Sequence, residues 1–282
     1  MINFLHSYLP QPILFQFGFL QIHWYGIFVV FAAVLGLLVV LKLAKRFSIS
    51  SDEVYNLGFY LLIFGLLGAR AYAVFLDWQF YLSQPLEILA VWHGGLAIHG
   101  AIFFGILTLF IYTHPLTRSR FIGTTLSPKG PREIGSFWLW ADLIAPALAL
   151  GQAIGRFGNY FNQEVFGKPT NLPWGIPISF ANRPLEYLNF QYFHPTFLYE
   201  SILDFCNFLI LLVLFYKLKN KKSGVIFLVY LIIYSLIRIG LEFLRTDQTM
   251  IILGIRLPIL VSLVVIIFSL LFLIKKFKPK AV

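Results

Sequence analysis

Hydrophobic residues in this chain neither alternate with polar ones nor follow a narrow amphipathic stripe; they run in long blocks. Seven blocks stand out, at residues 22–41, 54–76, 96–112, 137–154, 195–216, 225–244 and 258–274. Each has about the 17 to 25 residues that a helix needs to cross the hydrocarbon core of a bilayer. A membrane barrel would show ~10-residue segments of alternating polarity, and the run from Leu209 to Phe215 does not alternate. The pattern predicts an all-α polytopic membrane protein with seven transmembrane helices, forming a single integral membrane domain over residues 1–282.

Composition narrows the classes further. Of the 282 residues, 59% are hydrophobic and 12% charged, with a mean hydropathy of +0.80, against roughly 25% charged in a soluble domain. A soluble fold is excluded. The single cysteine cannot form an internal disulfide, and there is neither a CxxC pair nor a Cys/His zinc spacing. Redox chemistry and a thiolate metal site are therefore not expected.

The net charge of +10 could mean nucleic acid, so its distribution decides. Fifteen of the 22 lysines and arginines fall in four short polar segments: Lys42, Lys45 and Arg46; Arg118, Arg120, Lys129 and Arg132; Lys217, Lys219, Lys221 and Lys222; Lys275, Lys276, Lys278 and Lys280. The first 21 residues carry no Lys or Arg. Positive loops stay in the cytoplasm, so the N-terminus is expected outside and the C-terminus inside. The charge is a topology signal and nucleic acid is not a partner. Without a basic n-region or a small-residue cleavage site, residues 1–21 are expected to remain and lie along the outer interface. The segments 77–95 and 156–194 are expected on the outer face, either as an aromatic interfacial belt or as a small cap over a site. The loop 113–136, with Ser127-Pro128-Lys129-Gly130-Pro131, reads as a solvated cytoplasmic linker.

Ionisable residues within spans are costly and point to function or to pairing between helices. Span direction places Arg70, His99, Glu200, Asp204, Arg238 and Glu242 in outer halves, with Arg156 and Asn159 just beyond the end of the fourth span and Tyr25 and His194 flanking the first and fifth. The polar groups converge on the outer leaflet. Asp142, early in span four, is expected to be a structural partner between helices. Arg156 and Arg238 cannot lose their charge and suit a phosphate held by forked hydrogen bonds, although Arg238 and Glu242 also stand at salt-bridge spacing. For Arg70, snorkelling to the headgroups suffices. His99, among Gly94, Gly95 and Gly100, can act as acid or base near neutral pH, or pack as a structural histidine. The stretch from Gly151 to Asn159 has dinucleotide-loop glycines but no preceding strand, so that motif is rejected. Cys206, deep in span five, is not expected to be a nucleophile.

The stretches Gly94-Gly95-Leu96-Ala97-Ile98-His99-Gly100, Gly155-Arg156-Phe157-Gly158-Asn159-Tyr160-Phe161-Asn162-Gln163-Glu164 and His194-Pro195-Thr196-Phe197-Leu198-Tyr199-Glu200, with His23-Trp24-Tyr25-Gly26 and residues 238–245, closely resemble the prolipoprotein diacylglyceryl transferase family. The resemblance runs in order along nearly the whole chain; the cytoplasmic linker looks longer than the family's. It implies a bacterial inner-membrane enzyme that moves the diacylglyceryl group of phosphatidylglycerol onto the lipobox cysteine of preprolipoprotein signal peptides. Carried over residue by residue, Arg156 and Arg238 would hold the phosphate, and Asn159, Asn162, Glu164 and Gly167 would shape the site. Tyr25, His99, His194, Tyr234 and Glu242 would line it, with His99 or Tyr234 taking the thiol proton, and the implied reaction would need neither a metal nor another cofactor. A secondary transporter is disfavoured by the lack of paired broken spans, and a seven-helix receptor leaves Arg156 and Arg238 without a purpose.

Overall fold

Among the described residues of the computed structural model, six helices are long and apolar enough to cross a membrane: α2 (Trp24–Ala44, continued by a 3-10 turn Lys45–Phe47), α3 (Ser51–Leu76), α6 (Phe137–Phe161), α7 (Thr196–Lys217), α8 (Val225–Glu242) and α9 (Leu257–Phe277). The block at 96–112 forms a shorter helix, α5 (Ile98–Thr113, 16 residues), about 24 Å at 1.5 Å per residue. The described residues are 2–18, 20–114, 136–218 and 223–277. Most of the expected cytoplasmic linker, with Arg118, Arg120, Lys129 and Arg132, lies outside them, as do Lys219, Lys221, Lys222, Lys278 and Lys280.

The chain divides into two compact units, Val40–Ala141 and Met1–Val39 with Asp142–Val282. In the first, the Ser50 hydroxyl caps α3 by accepting the Glu53 N–H at 3.2 Å, and Asp52 and Glu53 sit in its first turn. A cap and negative charge at this end each favour the helix, since four backbone N–H groups there lack partners. α3 and α5 pack antiparallel: the Tyr112 hydroxyl donates to the Glu53 carbonyl, and the Ala97 N–H to the Ala69 carbonyl. Between Leu76 and α5 the chain folds into α4 (Trp78–Ser83) and two 3-10 turns, Pro85–Ile88 and Val91–His93.

In the second unit, Asp142 is a structural link between helices. Its completely buried carboxylate accepts the backbone N–H groups of Gly224 (2.7 Å) and Phe227 (2.8 Å), capping α8 from α6. Ala145 and Ala149 are also buried on α6, small residues of the kind that let helices approach closely. The Ser201 hydroxyl ties α7 to the Ala153 carbonyl at 2.8 Å.

The fourth apolar block ends near residue 154, yet α6 continues to Phe161. Arg156 and Asn159 therefore stand on the last turns of the helix rather than beyond it. Falling hydropathy marks the end of the apolar run, whereas the helix stops only where the chain turns, at Gln163 with φ 52°. Beyond it, residues 161–195 fold around a small core of Tyr160, Phe166, Ile176, Ile178, Phe193 and Phe197, with a two-stranded pair, β3 (Ile176–Pro177) and β4 (Tyr192–Phe193). The first helix, α1 (Ile2–Ser7), packs onto this core through Leu5, with Tyr8 just after it, and the hairpin β1 (Ile13–Phe17) and β2 (Leu20–His23) leads from there into α2. His6 stacks on Tyr192, and the Gln163 amide donates to the Pro10 carbonyl while its oxygen accepts the Ser179 N–H, both at 2.7 Å. A second hairpin, β5 (Ile251–Ile252) and β6 (Ile255–Arg256), joins α8 to α9.

Candidate functional site

The end of α6 lays out a polar relay by helical spacing alone. Arg156 and Asn159, three residues apart, share a face, and the guanidinium donates to the Asn159 side-chain oxygen at 3.2 Å. The Asn159 amide then donates to Glu164 at 2.9 Å, and the Asn162 amide reaches the same carboxylate oxygen at 3.2 Å. The turn after the helix brings Glu164 back, its own N–H bonded to the Asn159 carbonyl.

A larger ion network joins this relay from α7, α8 and the second hairpin. Glu200, completely buried, lies 2.7 Å from Arg156 through one oxygen and 3.5 Å from Arg245 through the other. Arg245 pairs with Asp247 at 2.7 Å. Glu242, also buried, pairs with Arg238 at 2.8 Å, one helical turn back, and with Arg256 at 2.7 Å. Arg256 donates further to the Asp247 carbonyl at 2.8 Å, locking the hairpin to the end of α8. Four guanidiniums thus face three carboxylates in direct ion pairs, and a fourth carboxylate, Glu164, joins Arg156 through Asn159. Among the described residues, two buried guanidinium nitrogens, Arg156 Nε and Arg238 Nη1, have no hydrogen-bond acceptor. Burying such a donor is unfavourable unless something accepts from it.

Outside the spans two ionisation shifts follow from these contacts. Burial alone would raise the Asp247 carboxyl, but the hydrogen bond and charge of Arg245 outweigh it and hold it below the usual carboxylate range. Partial burial pushes the His194 imidazole down.

The remaining candidates divide. Gly167 forms a bridge with Arg245 and donates to the His194 carbonyl at 2.9 Å. A Cβ at Gly167 would stand 2.8 Å from the His194 Cβ, so only glycine fits. His194 contacts the Tyr199 hydroxyl at 3.2 Å, which also accepts from the Trp174 indole. Tyr234 stacks on Tyr230 and lies within electrostatic reach of Arg156, Glu200 and Arg238. Tyr25 packs on Gly158, beside the relay but outside its ion pairs. His99 belongs to the other unit, where its ring lies 6.0 Å from that of Tyr72. By sequence alone Arg245, Asp247 and Arg256 have no assigned role in the site, and Glu200 is marked only by its depth and as the end of the His194–Glu200 stretch of the resemblance.

The sequence profile of the family described as prolipoprotein diacylglyceryl transferase matches residues 12–275. A protein of Acaryochloris marina named phosphatidylglycerol-prolipoprotein diacylglyceryl transferase is 44% identical over 241 residues, covering 86% of this chain and 82% of that protein. One of the same name from Synechococcus elongatus is 43% identical over 270 residues, covering 94% and 87%. With a match that takes in both halves of the ion network at this identity, the chain belongs to the prolipoprotein diacylglyceryl transferase family.

Proposed function

We propose that this chain transfers the diacylglyceryl group of phosphatidylglycerol to the lipobox cysteine thiol of preprolipoproteins at the bacterial inner membrane, forming a thioether and releasing glycerol phosphate. The observation that carries the reading is the pair of buried guanidinium donors, Arg156 Nε and Arg238 Nη1, that meet no acceptor among the described residues. Such a site attracts a singly charged phosphodiester and offers it forked hydrogen bonds.

In the reaction the cysteine sulfur attacks the glyceryl carbon next to the phosphate. The carbon–oxygen bond breaks, its electron pair stays on the phosphate oxygen, and the thiol proton passes to a base, His99 or Tyr234. Negative charge grows on the departing phosphate, where fixed positive charge lowers the barrier most. Glu242 and the Asn159, Asn162 and Glu164 relay hold the two arginines in place, while Tyr25, Gly167 and His194 shape the surrounding wall. Both substrates reach the site laterally, one as a lipid and the other tethered by its signal-peptide helix.

The membrane arrangement belongs to the same proposal. Helix α5, with the apolar residues before it, makes a seventh span; the N-terminus lies outside, and residues 77–95 and 156–194 form a small outer cap. The four basic clusters support this orientation, and cysteine labelling at Asn189 but not at Ser223 from the outside is its test.

The function is tested by supplying the purified protein with phosphatidylglycerol vesicles and a lipobox peptide. The expected products are a thioether-modified peptide and an equal amount of glycerol phosphate. An unmodified peptide, or glycerol phosphate released without peptide, would defeat the reading.

A further inference from the structure

Arg70 is a buried cation that the proposed reaction does not use, and its surroundings are unlike those of a residue reaching for headgroups. Its side chain is 7% exposed. A guanidinium has five N–H donors, and Arg70 meets five backbone carbonyls. Nε donates to Ile88 (3.0 Å), Nη1 to Gly94 (2.6 Å) and Gly95 (2.8 Å), and Nη2 to Ala90 (3.3 Å) and Glu87. The Tyr81 ring covers it at 5.1 Å. With every donor engaged, Arg70 has none left for a phosphate, which corrects the expectation that it snorkels.

The carbonyls belong to the segment that leads into α5, and the neighbours of Arg70 grip the same segment in reverse order. Gly68 and Gly100 meet backbone to backbone, where a Cβ on Gly100 would collide with the Gly68 carbonyl. Ala69 accepts the Ala97 N–H at 3.1 Å. Arg70 holds Gly94 and Gly95. Three consecutive residues of α3 therefore fix the backbone at both ends of the 94–100 stretch, and His99 stands inside it. A Cβ on Gly95, already at φ +68°, would lie 2.5 Å from Arg70 Nη1, so the guanidinium occupies the space that any larger residue needs.

We propose that Arg70 is a positioning residue for transfer, acting through His99 by holding the backbone that carries it. This rests on the reading of His99 as the group that takes the thiol proton. Lysine keeps the charge but has three donors from a single nitrogen, so at least two of the five carbonyls lose their partner and the entry to α5 shifts. A displacement of about 1 Å at a catalytic group costs on the order of 100-fold.

The test compares the parent, Arg70→Lys, His99→Gln and the double variant in phosphatidylglycerol vesicles with a lipobox peptide. Gly95→Ala serves as a second, smaller disturbance of the same contact from the opposite side. The expected results are a fall in kcat of about tenfold or more for Arg70→Lys and for Gly95→Ala, with KM for the lipid within about twofold. The double variant is expected within about twofold of His99→Gln alone, because residues that act as one unit are not additive. Losses that multiply in the double variant, a parent rate in His99→Gln beside a slow Arg70→Lys, or parent rates in both Arg70→Lys and Gly95→Ala, would each overturn the proposal. A parent protein that does not modify the peptide would instead refute the proposed function.

Discussion

Arg156→Lys separates charge from geometry at the centre of the site. The native guanidinium points in three directions: one Nη toward Glu200 at 2.7 Å, the other to Asn159 at 3.2 Å, and Nε with no acceptor among the described residues. An ammonium group places its donors on one atom, so lysine can satisfy the fixed carboxylate of Glu200 or reach an incoming phosphate, but not both at good geometry. The variant loses at least one charge-assisted hydrogen bond to the phosphate, worth about 1.5 to 3 kcal/mol. At ~1.36 kcal/mol per decade this is a roughly 10- to 150-fold slower reaction. Because charge accumulates on the phosphate as the carbon–oxygen bond breaks, the loss is expected in kcat more than in KM. The assay is initial-rate transfer to a lipobox peptide over a range of phosphatidylglycerol mole fractions, with the folded fraction measured by size exclusion. Turnover within about threefold of the parent, in folded Arg156→Lys protein, would show that Arg156 packs against Glu200 rather than serving the phosphate.

Asp142→Asn keeps one acceptor for the start of α8 but turns an amide against the other backbone N–H; a stability loss of about 1 to 3 kcal/mol is expected by thermal unfolding in detergent, with the KM for lipid unchanged, and a parent-like melting temperature would refute the cap. Asp247 is held below its unfolded pKa, so its contribution to stability is present above the ordinary carboxylate range and is lost as pH falls through its lowered native value. Asp247→Asn should therefore flatten the acid limb of the melting-temperature curve, and an unaltered limb would count against the Arg245 pair. Cys206 is exposed on the surface of α7, and the substrate supplies its own nucleophile, so Cys206→Ala is expected to transfer at close to the parent rate; a diacylglyceryl adduct on Cys206 would favour a two-step exchange instead.

What the sequence made legible was whatever has a period. Block lengths locate the spans, and four-residue spacing on a helix identifies the Arg238 and Glu242 pair. The depths of Glu200 and Arg238 within their spans, and the place of Arg156 at the outer end of the fourth, already gathered these three residues. The rest depends on partners with no spacing rule. Arg156 meets Glu200 across 44 residues and Arg245 meets Glu200 across 45, and Arg256 reaches Glu242 only because a hairpin folds back on the end of α8. Arg70 was the hardest to read, because its acceptors are backbone carbonyls, which every residue possesses.

The guanidinium donors of the arginine network also bear on how a turnover ends. Phosphatidylglycerol enters as a diester with one negative charge, whereas glycerol phosphate is a monoester whose second ionisation, with a pKa near ~6, leaves it close to two at neutral pH. The donors that capture the lipid therefore hold the product more tightly, and escape of glycerol phosphate becomes a step that can govern the overall rate. Added glycerol phosphate should compete with the lipid, and do so less effectively as the medium is acidified below about pH 6 and the product regains its proton. Four arginines suited to starting the reaction are thereby a brake on its repetition, with Glu200 and Glu242 the charges that keep the brake from locking.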